Sequence, residues 1–201
     1  MDPFIPYARV HDTRYSISAI YRVYDRYTTY DTQRIDLTNP VARMGDTILA
    51  IDPGVAVVAA AALRGGRVVF AASASLAGPP ERWARVLADW LDLARPARVV
   101  VEAQRMDHGR CAFVEGLVHG LAAGRGVPCA RHVPRQMHAA CAGFGGYARN
   151  KRRAVALVAA LLPPRDVAVL RAVSPRGRTD PFDAALFALW HTRPADVARV
   201  P

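Results

Sequence analysis

Apolar positions change character near residue 46. Before it, apolar side chains are scattered among Tyr, Arg, Thr and Asp with no sustained period. From Thr47 they gather into short blocks. Ile48, Leu49, Ala50 and Ile51 run into Asp52-Pro53-Gly54, and an apolar run closed by turn residues predicts a buried strand. Residues 55–63 predict a second strand, Arg64-Gly65-Gly66 a hairpin turn, and residues 67–73 a third strand. Trp83, Val86, Leu87, Trp90 and Leu91 recur at helical spacing, between an opening Pro79-Pro80 and a closing Pro96. Residues 97–102 form a fourth apolar run, which ends in a carboxylate, Glu102, as the first does in Asp52.

After the polar turn 104–110, residues 111–124 predict a helix and 127–133 a fifth strand. Residues 134–150 lack a clean period and carry Gly143, Gly145 and Gly146, which predicts a flexible loop or lid. A helix over 150–162 halts at Pro163-Pro164, and an Arg-rich stretch leads into a last helix over 180–191. Strands joined by tight turns are antiparallel, and strands joined through helices are parallel. The expected fold is therefore α/β: a mixed five-stranded sheet, three antiparallel strands then parallel ones, with helices on both faces. The expected domain spans 46–195, preceded by an extension over 1–45 and followed by a tail over 196–201. Within the extension, 16–32 suits either a strand pair or a short amphipathic element. It holds most of the tyrosines, interleaved with arginine. That composition suits stacking on single-stranded nucleic acid, or an extension packed on the domain or partly disordered. Met44 offers a start for a shorter product.

The length of 201 residues buries a sizeable core without staples. Three cysteines at unrelated spacings form no zinc or disulfide pattern. No apolar run approaches a membrane span, and the N-terminal residues do not read as a targeting segment, so a soluble intracellular protein is expected. The formal charge of +10 points to a polyanionic partner. Arginine supplies nearly all of the positive charge, with Lys151 the single lysine, as a GC-rich genome would produce.

The acids carry the chemistry. Asp52 alone is an ordinary turn aspartate. Glu102, at the end of a buried strand, needs a partner: a helix terminus, an arginine or a metal. Asp180 and Asp183 flank Pro181 and fit a helix cap and first turn, yet their spacing also places both on one helix face. In a mixed sheet of this order the first and fourth strands are neighbours, so Asp52 and Glu102 end side by side. A helix N-terminus bringing two further carboxylates completes an oxygen-rich pocket suited to Mg²⁺ or Mn²⁺. Two such ions serve phosphodiester cleavage. The histidines at 108, 119, 132, 138 and 191 share no ligand spacing and read as surface or loop residues, with His138 in the lid free to meet DNA.

These pieces resemble the RNase H-like superfamily, and within it the RuvC-type Holliday junction resolvases. The matching runs are AIDPG with Asp52, VVVEAQR with Glu102, Gln104 and Arg105, the basic NKRRAVALV, and TDPFDAALFAL with Asp180 and Asp183. The Glu-x-Gln-Arg run is closer to the mitochondrial and poxviral branch. The resemblance implies Asp52, Glu102, Asp180 and Asp183 as Mg²⁺ ligands, with Mn²⁺ a substitute. It places Lys151 near the scissile phosphate, and Gln104, Arg105, Arg149, Arg152 and Arg153 on the nucleic acid. It further implies a homodimer acting on four-way DNA junctions; the apolar face of helix 111–124 serves either as that interface or only against the sheet. The chain departs from the pattern where VAVVAA replaces a small polar residue after the first turn, and where acids before the last aspartate are fewer. Three rival readings remain at this level. A sugar-kinase or actin-like phosphotransferase shares the Asp-x-Gly turn but needs two large lobes. A junction- or RNA-binding module without activity and an RNA-processing nuclease would each use the same fold.

Overall fold

A computed structural model describes residues 47–103, 109–174 and 178–201. The extension 1–45 and the turn holding Gln104, Arg105 and His108 lie outside the described residues. Strand β1 (Ile48–Pro53) is the middle of the sheet. It pairs antiparallel with β2 (Val57–Arg64), which pairs antiparallel with β3 (Arg67–Ser75). On its other side β1 runs parallel to β4 (Arg98–Glu102), and β4 runs parallel to β5 (Cys129–His132). The order β3-β2-β1-β4-β5 is the expected mixed sheet.

Strand periodicity decides which side each residue serves. Ala50, Ala61 and Val100 belong to the core built with the C-terminal helices. Leu49, Ile51, Val99 and Val101 are equally buried but take the opposite parity. That second face is covered by α1 (Pro80–Ala94) and α2 (Gly109–Ala123). Trp83, Val86, Leu87, Trp90 and Leu91 form the buried stripe of α1, and Phe70 of β3 meets Trp90 edge to face, centroids 6.3 Å apart. Helices therefore cover both faces.

On the first face lie α3 (Pro134–Ala140), α4 (Tyr147–Leu161), α5 (Pro164–Ala172), α6 (Asp180–Thr192) and α7 (Pro194–Arg199). Among the described residues, five helices follow β5 where the sequence pattern predicts two. The expected lid over 134–150 is a short helix, a glycine turn and the first turn of α4. Pro134 starts α3 with a fixed φ suited to a first helical turn, and Met137 anchors it at 1 % exposure. Residues 194–199 are helical, with Val197 fully buried, where a tail over 196–201 was expected.

Helix α6 packs across β1 and β2. Ala184, Ala185 and Ala188 on the helix and Ala59 to Ala62 on β2 are all fully buried. Small side chains on both elements let the backbones approach closely. At the far edge, Asp166 of α5 is fully buried and accepts from Arg67 Nε at 2.8 Å, Arg67 Nη2 at 3.0 Å and Val68 N at 3.1 Å. This acid ties α5 to β3 and satisfies a backbone donor at the start of that strand.

Candidate metal centre

Asp52 has the parity of Ala50, and Glu102 that of Val100, so both side chains leave their strands toward the α6 face. Ile51 pairs with Val101 in the parallel β1–β4 ladder, which puts Asp52 and Glu102 at adjacent strand ends. A side-chain hydrogen bond links the two carboxyls and favours the protonated form of Asp52. The turn beyond Asp52 is tight: a Cβ at Gly54 would lie 2.6 Å from the Val57 carbonyl oxygen, so any larger residue must shift backbone.

Helix α6 meets these strand ends with its N-terminus. Asp180 is the first helical residue, after a Thr179 cap that makes no side-chain hydrogen bond. Its carboxylate therefore does not cap the helix. Instead it accepts from Lys151 Nζ at 3.2 Å and Arg178 Nε at 2.8 Å. One turn on, Asp183 accepts a short hydrogen bond from Lys151. Carboxylate oxygens of Asp52, Asp180 and Asp183 all lie within 4.8 Å of one another. Glu102 joins them through Asp52.

Burial and mutual repulsion dominate the electrostatics. Burial, then the Glu102 charge, push Asp52 well above the usual carboxylate range. Burial, then the Asp52 charge, push Asp183 up to about 7, against the pull of Lys151. Burial alone would depress Lys151, but Asp183, Asp52 and Asp180 overcome it and hold the ammonium charged above its ordinary range. Two cations, Lys151 and Arg178, thus face several carboxylates, and protons make up part of the deficit. An oxygen-only donor set short of positive charge can hold a hard divalent cation. The residues present fit that group.

The acids form one end of a cleft of about 420 Å³. His138, Phe144 and Tyr147 line its other part, with Arg178 at the rim. Of the basic residues expected on nucleic acid, Lys151 is in the carboxylate cluster. Arg149 Nε donates to the Gly143 carbonyl at 2.8 Å. Arg153 donates to the backbone oxygens of Ala142, Val200 and Pro201 at 2.7–2.8 Å. Arg152 is exposed, and Gln104 and Arg105 fall outside the described residues. Arg178 was not singled out from the sequence. Its signal was faint: one arginine of two in SPRGRTD, two positions before Asp180.

His132 is not a surface residue. At 2 % exposure it stacks on Phe187, centroids 4.4 Å apart, with Nδ1 3.3 Å from His191 Nε2. Burial, reinforced by His191, pushes it down to about 3, so the ring packs neutral. Cys111, Cys129 and Cys141 are free thiols, as expected from their spacing.

No family model matches the chain. The crossover junction endodeoxyribonuclease RuvC of Saccharopolyspora erythraea is 30% identical over 159 residues, covering 71% of this chain and 76% of that protein. Thermus thermophilus RuvC in complex with a Holliday junction substrate has a TM-score of 0.53 at 20% identity, over 74% of this chain and 95% of that one. The T. thermophilus RuvC structure gives 0.51 at 21% identity, over 72% and 94%. Sheet order and helix placement are thus those of a RuvC-like, RNase H-like fold. On the strength of the curated relative, the chain belongs to the RuvC family of crossover junction endodeoxyribonucleases.

Proposed function

We propose that the chain is a structure-selective endonuclease that resolves four-way DNA junctions by metal-dependent phosphodiester hydrolysis. The observation that carries this reading is the convergence of Asp52, Asp180 and Asp183 within 4.8 Å, at the end of an open cleft. These three, with Glu102 beside Asp52, would hold Mg²⁺, or Mn²⁺ in its place. Divalent ions, when bound, supply the charge that activates a water and stabilises the leaving oxygen.

The chain's own residues supply the frame. Asp52 and Glu102 are fixed by strand ends, and Asp180 and Asp183 by the first turn of a buried helix. A carboxylate set on regular elements has little freedom to drift, which favours precise positioning. Lys151 offsets carboxylate repulsion and, once those oxygens have another cation, has its ammonium available for a phosphate oxygen. Arg178 stands ready for the same charge on the opposite side of Asp180. Arg152 is placed for backbone phosphates of the substrate, while Arg149 and Arg153 act through the loop they hold. The Glu-x-Gln-Arg run from Glu102 to Arg105 supports placing the chain nearer the mitochondrial and poxviral branch.

Two symmetric cuts need two sites, so we read the active form as a homodimer. Cys111, Val114, Val118 and Ala122 of α2 are used up against the sheet. Phe113 remains 47 % exposed, and Leu117 and Leu121 are partly exposed on the outer side. Those three residues are the proposed contact. Among the described residues, no helix is long and apolar enough to cross a membrane.

The test compares a four-way junction, a linear duplex and structured RNA with Mg²⁺, with Asp52→Asn as control. Paired nicks on the junction, absent in the variant, are expected. Tight junction binding without cutting in Mg²⁺ or Mn²⁺ would instead establish a binding module. Preferential cutting of RNA would establish an RNA-processing nuclease. Junction affinity should fall steeply with salt as phosphates are neutralised; a flat salt response would contradict a nucleic-acid role.

A further inference from the structure

Hydrolysis accounts for the acidic end of the cleft but not for its aromatic part. His138 of α3 and Phe144 lie ring on ring, centroids 4.2 Å apart and 21° from coplanar. Tyr147, the first residue of α4, is 77 % exposed, the highest value among the exposed large apolar side chains of the described residues. The Lys151 ammonium stands 5.6 Å from its ring centroid. All three rings border the cleft that Asp52 and Asp183 also line.

The turn carrying these rings is latched from α4. Arg153 Nε donates to Ala142 O and Arg149 Nε to Gly143 O, each at 2.8 Å, and Gly145 N donates to Asn150 Oδ1 at 2.7 Å. Gly143 and Gly146 take φ of 90° and 72°, the left-handed region that glycine tolerates. A Cβ at Gly143 would also come within 3.1 Å of Arg153 Nε. Three side chains of one helix thus hold three residues of the turn, on both sides of Phe144. Rings held in place before binding lose little freedom when they stack.

We propose that His138, Phe144 and Tyr147 form a stacking platform for one unpaired nucleobase of the strand being cut, turned out of its helix beside the scissile phosphate. This rests on the nuclease reading above. Ring faces of paired bases inside a helix are covered by their neighbours, so an unpaired base is the one most open to an aromatic side chain. A cleft of about 420 Å³ suits a nucleotide and not a duplex. Lys151 joins the two halves, since it stands over Tyr147 and bonds Asp180 and Asp183. A base on the rings and its phosphate at the acids are separated by one sugar. Stacking would set which phosphate faces the acids and so make the platform a determinant of cutting position.

The experiment crosses a protein change with a DNA change. Four-way junctions carry an abasic nucleotide at each position in turn on both sides of the nick. Affinity is measured with Ca²⁺ in place of Mg²⁺, and single-turnover nicking with Mg²⁺. On the intact junction, Tyr147→Ala should lose between roughly five- and a hundredfold in affinity, the range for one stacked base. Tyr147→Phe should retain wild-type affinity. At one position the abasic junction should weaken wild-type binding by a similar factor, and Tyr147→Ala should then cost nothing further. If the loss in Tyr147→Ala is undiminished at every abasic position while wild type still nicks the intact junction, the platform is wrong and the nuclease reading stands. If wild type binds but never nicks, the nuclease reading falls and takes the platform with it.

Discussion

Asp183 sits between a carboxylate that repels its charge and an ammonium that attracts it, and burial tips the balance toward the protonated form near pH 7. Linkage gives the sign. An unfolded aspartate loses its proton near pH 4, whereas the folded one holds it to about 7. Over that window the native state binds more protons, so stability of the metal-free protein should fall as pH rises from about 4 to 7. Mg²⁺ or Mn²⁺ favours the deprotonated carboxylates and should reverse the trend. Thermal unfolding across this range, with and without metal, checks both limbs; a metal-free midpoint that rises with pH would contradict the arrangement. Sequence alone leaves Asp180 open between a helix cap and a ligand. What decides it is Lys151, 29 residues away, a distance that no local pattern reads.

Helix α6 and strand β2 meet through alanines, and their contact sets how far the acids of α6 stand from Asp52. Ala185 is fully buried in that layer. Ala185→Leu should overpack it, costing about 1–3 kcal/mol in stability. It should also reduce nicking beyond what the unfolded fraction explains, because the helix N-terminus shifts against the strand ends. Chemical denaturation and single-turnover cleavage on one preparation separate the two effects. Asp166→Ala makes a useful contrast at the other edge. It removes the partner of Arg67 and leaves the Val68 amide buried without an acceptor, for a loss of about 1–3 kcal/mol. Metal binding by calorimetry should be unchanged.

Elements with strong periodicity were legible. The five strands and helices α1, α2 and α6 follow from blocks of apolar residues closed by Gly, Pro or a carboxylate. Helix α3 was not, because only Met137 of its seven residues is buried and glycines follow closely. Helix α5 is nine residues long, and its anchors include Asp166, a charge that looks solvent-facing until Arg67 is placed beside it. Short helices pinned by one or two contacts leave little pattern in a sequence. His132 was misread for a related reason, since its partners Phe187 and His191 come from a distant helix.

At the scale of the whole molecule, a chain of net charge +10 holds an acidic centre. Positive charge draws in a polyanion from a distance, and the acids act only where a cation bridges them to phosphate. The proposed assembly puts two such centres together through α2. Leu117→Asp should convert a dimer to a monomer by light scattering and turn paired nicks into single ones. An unchanged mass would move the interface elsewhere. Charge balance, the adjacency of strands one and four, and the convergence of acids at their ends could be anticipated from sequence. The face free for a partner could not, because α2 is apolar on its covered and uncovered sides alike.

The acids that converge are far apart along the chain, at 52, 102, 180 and 183. A ribosome releases them in that order. A nascent chain that has extruded both strand-borne carboxylates still lacks the helix that completes the pocket, and so lacks a site able to hold metal. On the proposed reading, the polypeptide therefore cannot cut nucleic acid during most of its synthesis. A product truncated before Asp180 by premature termination or proteolysis is harmless for the same reason. Division of the site between early strands and a late helix makes complete translation of that helix the step that arms the enzyme.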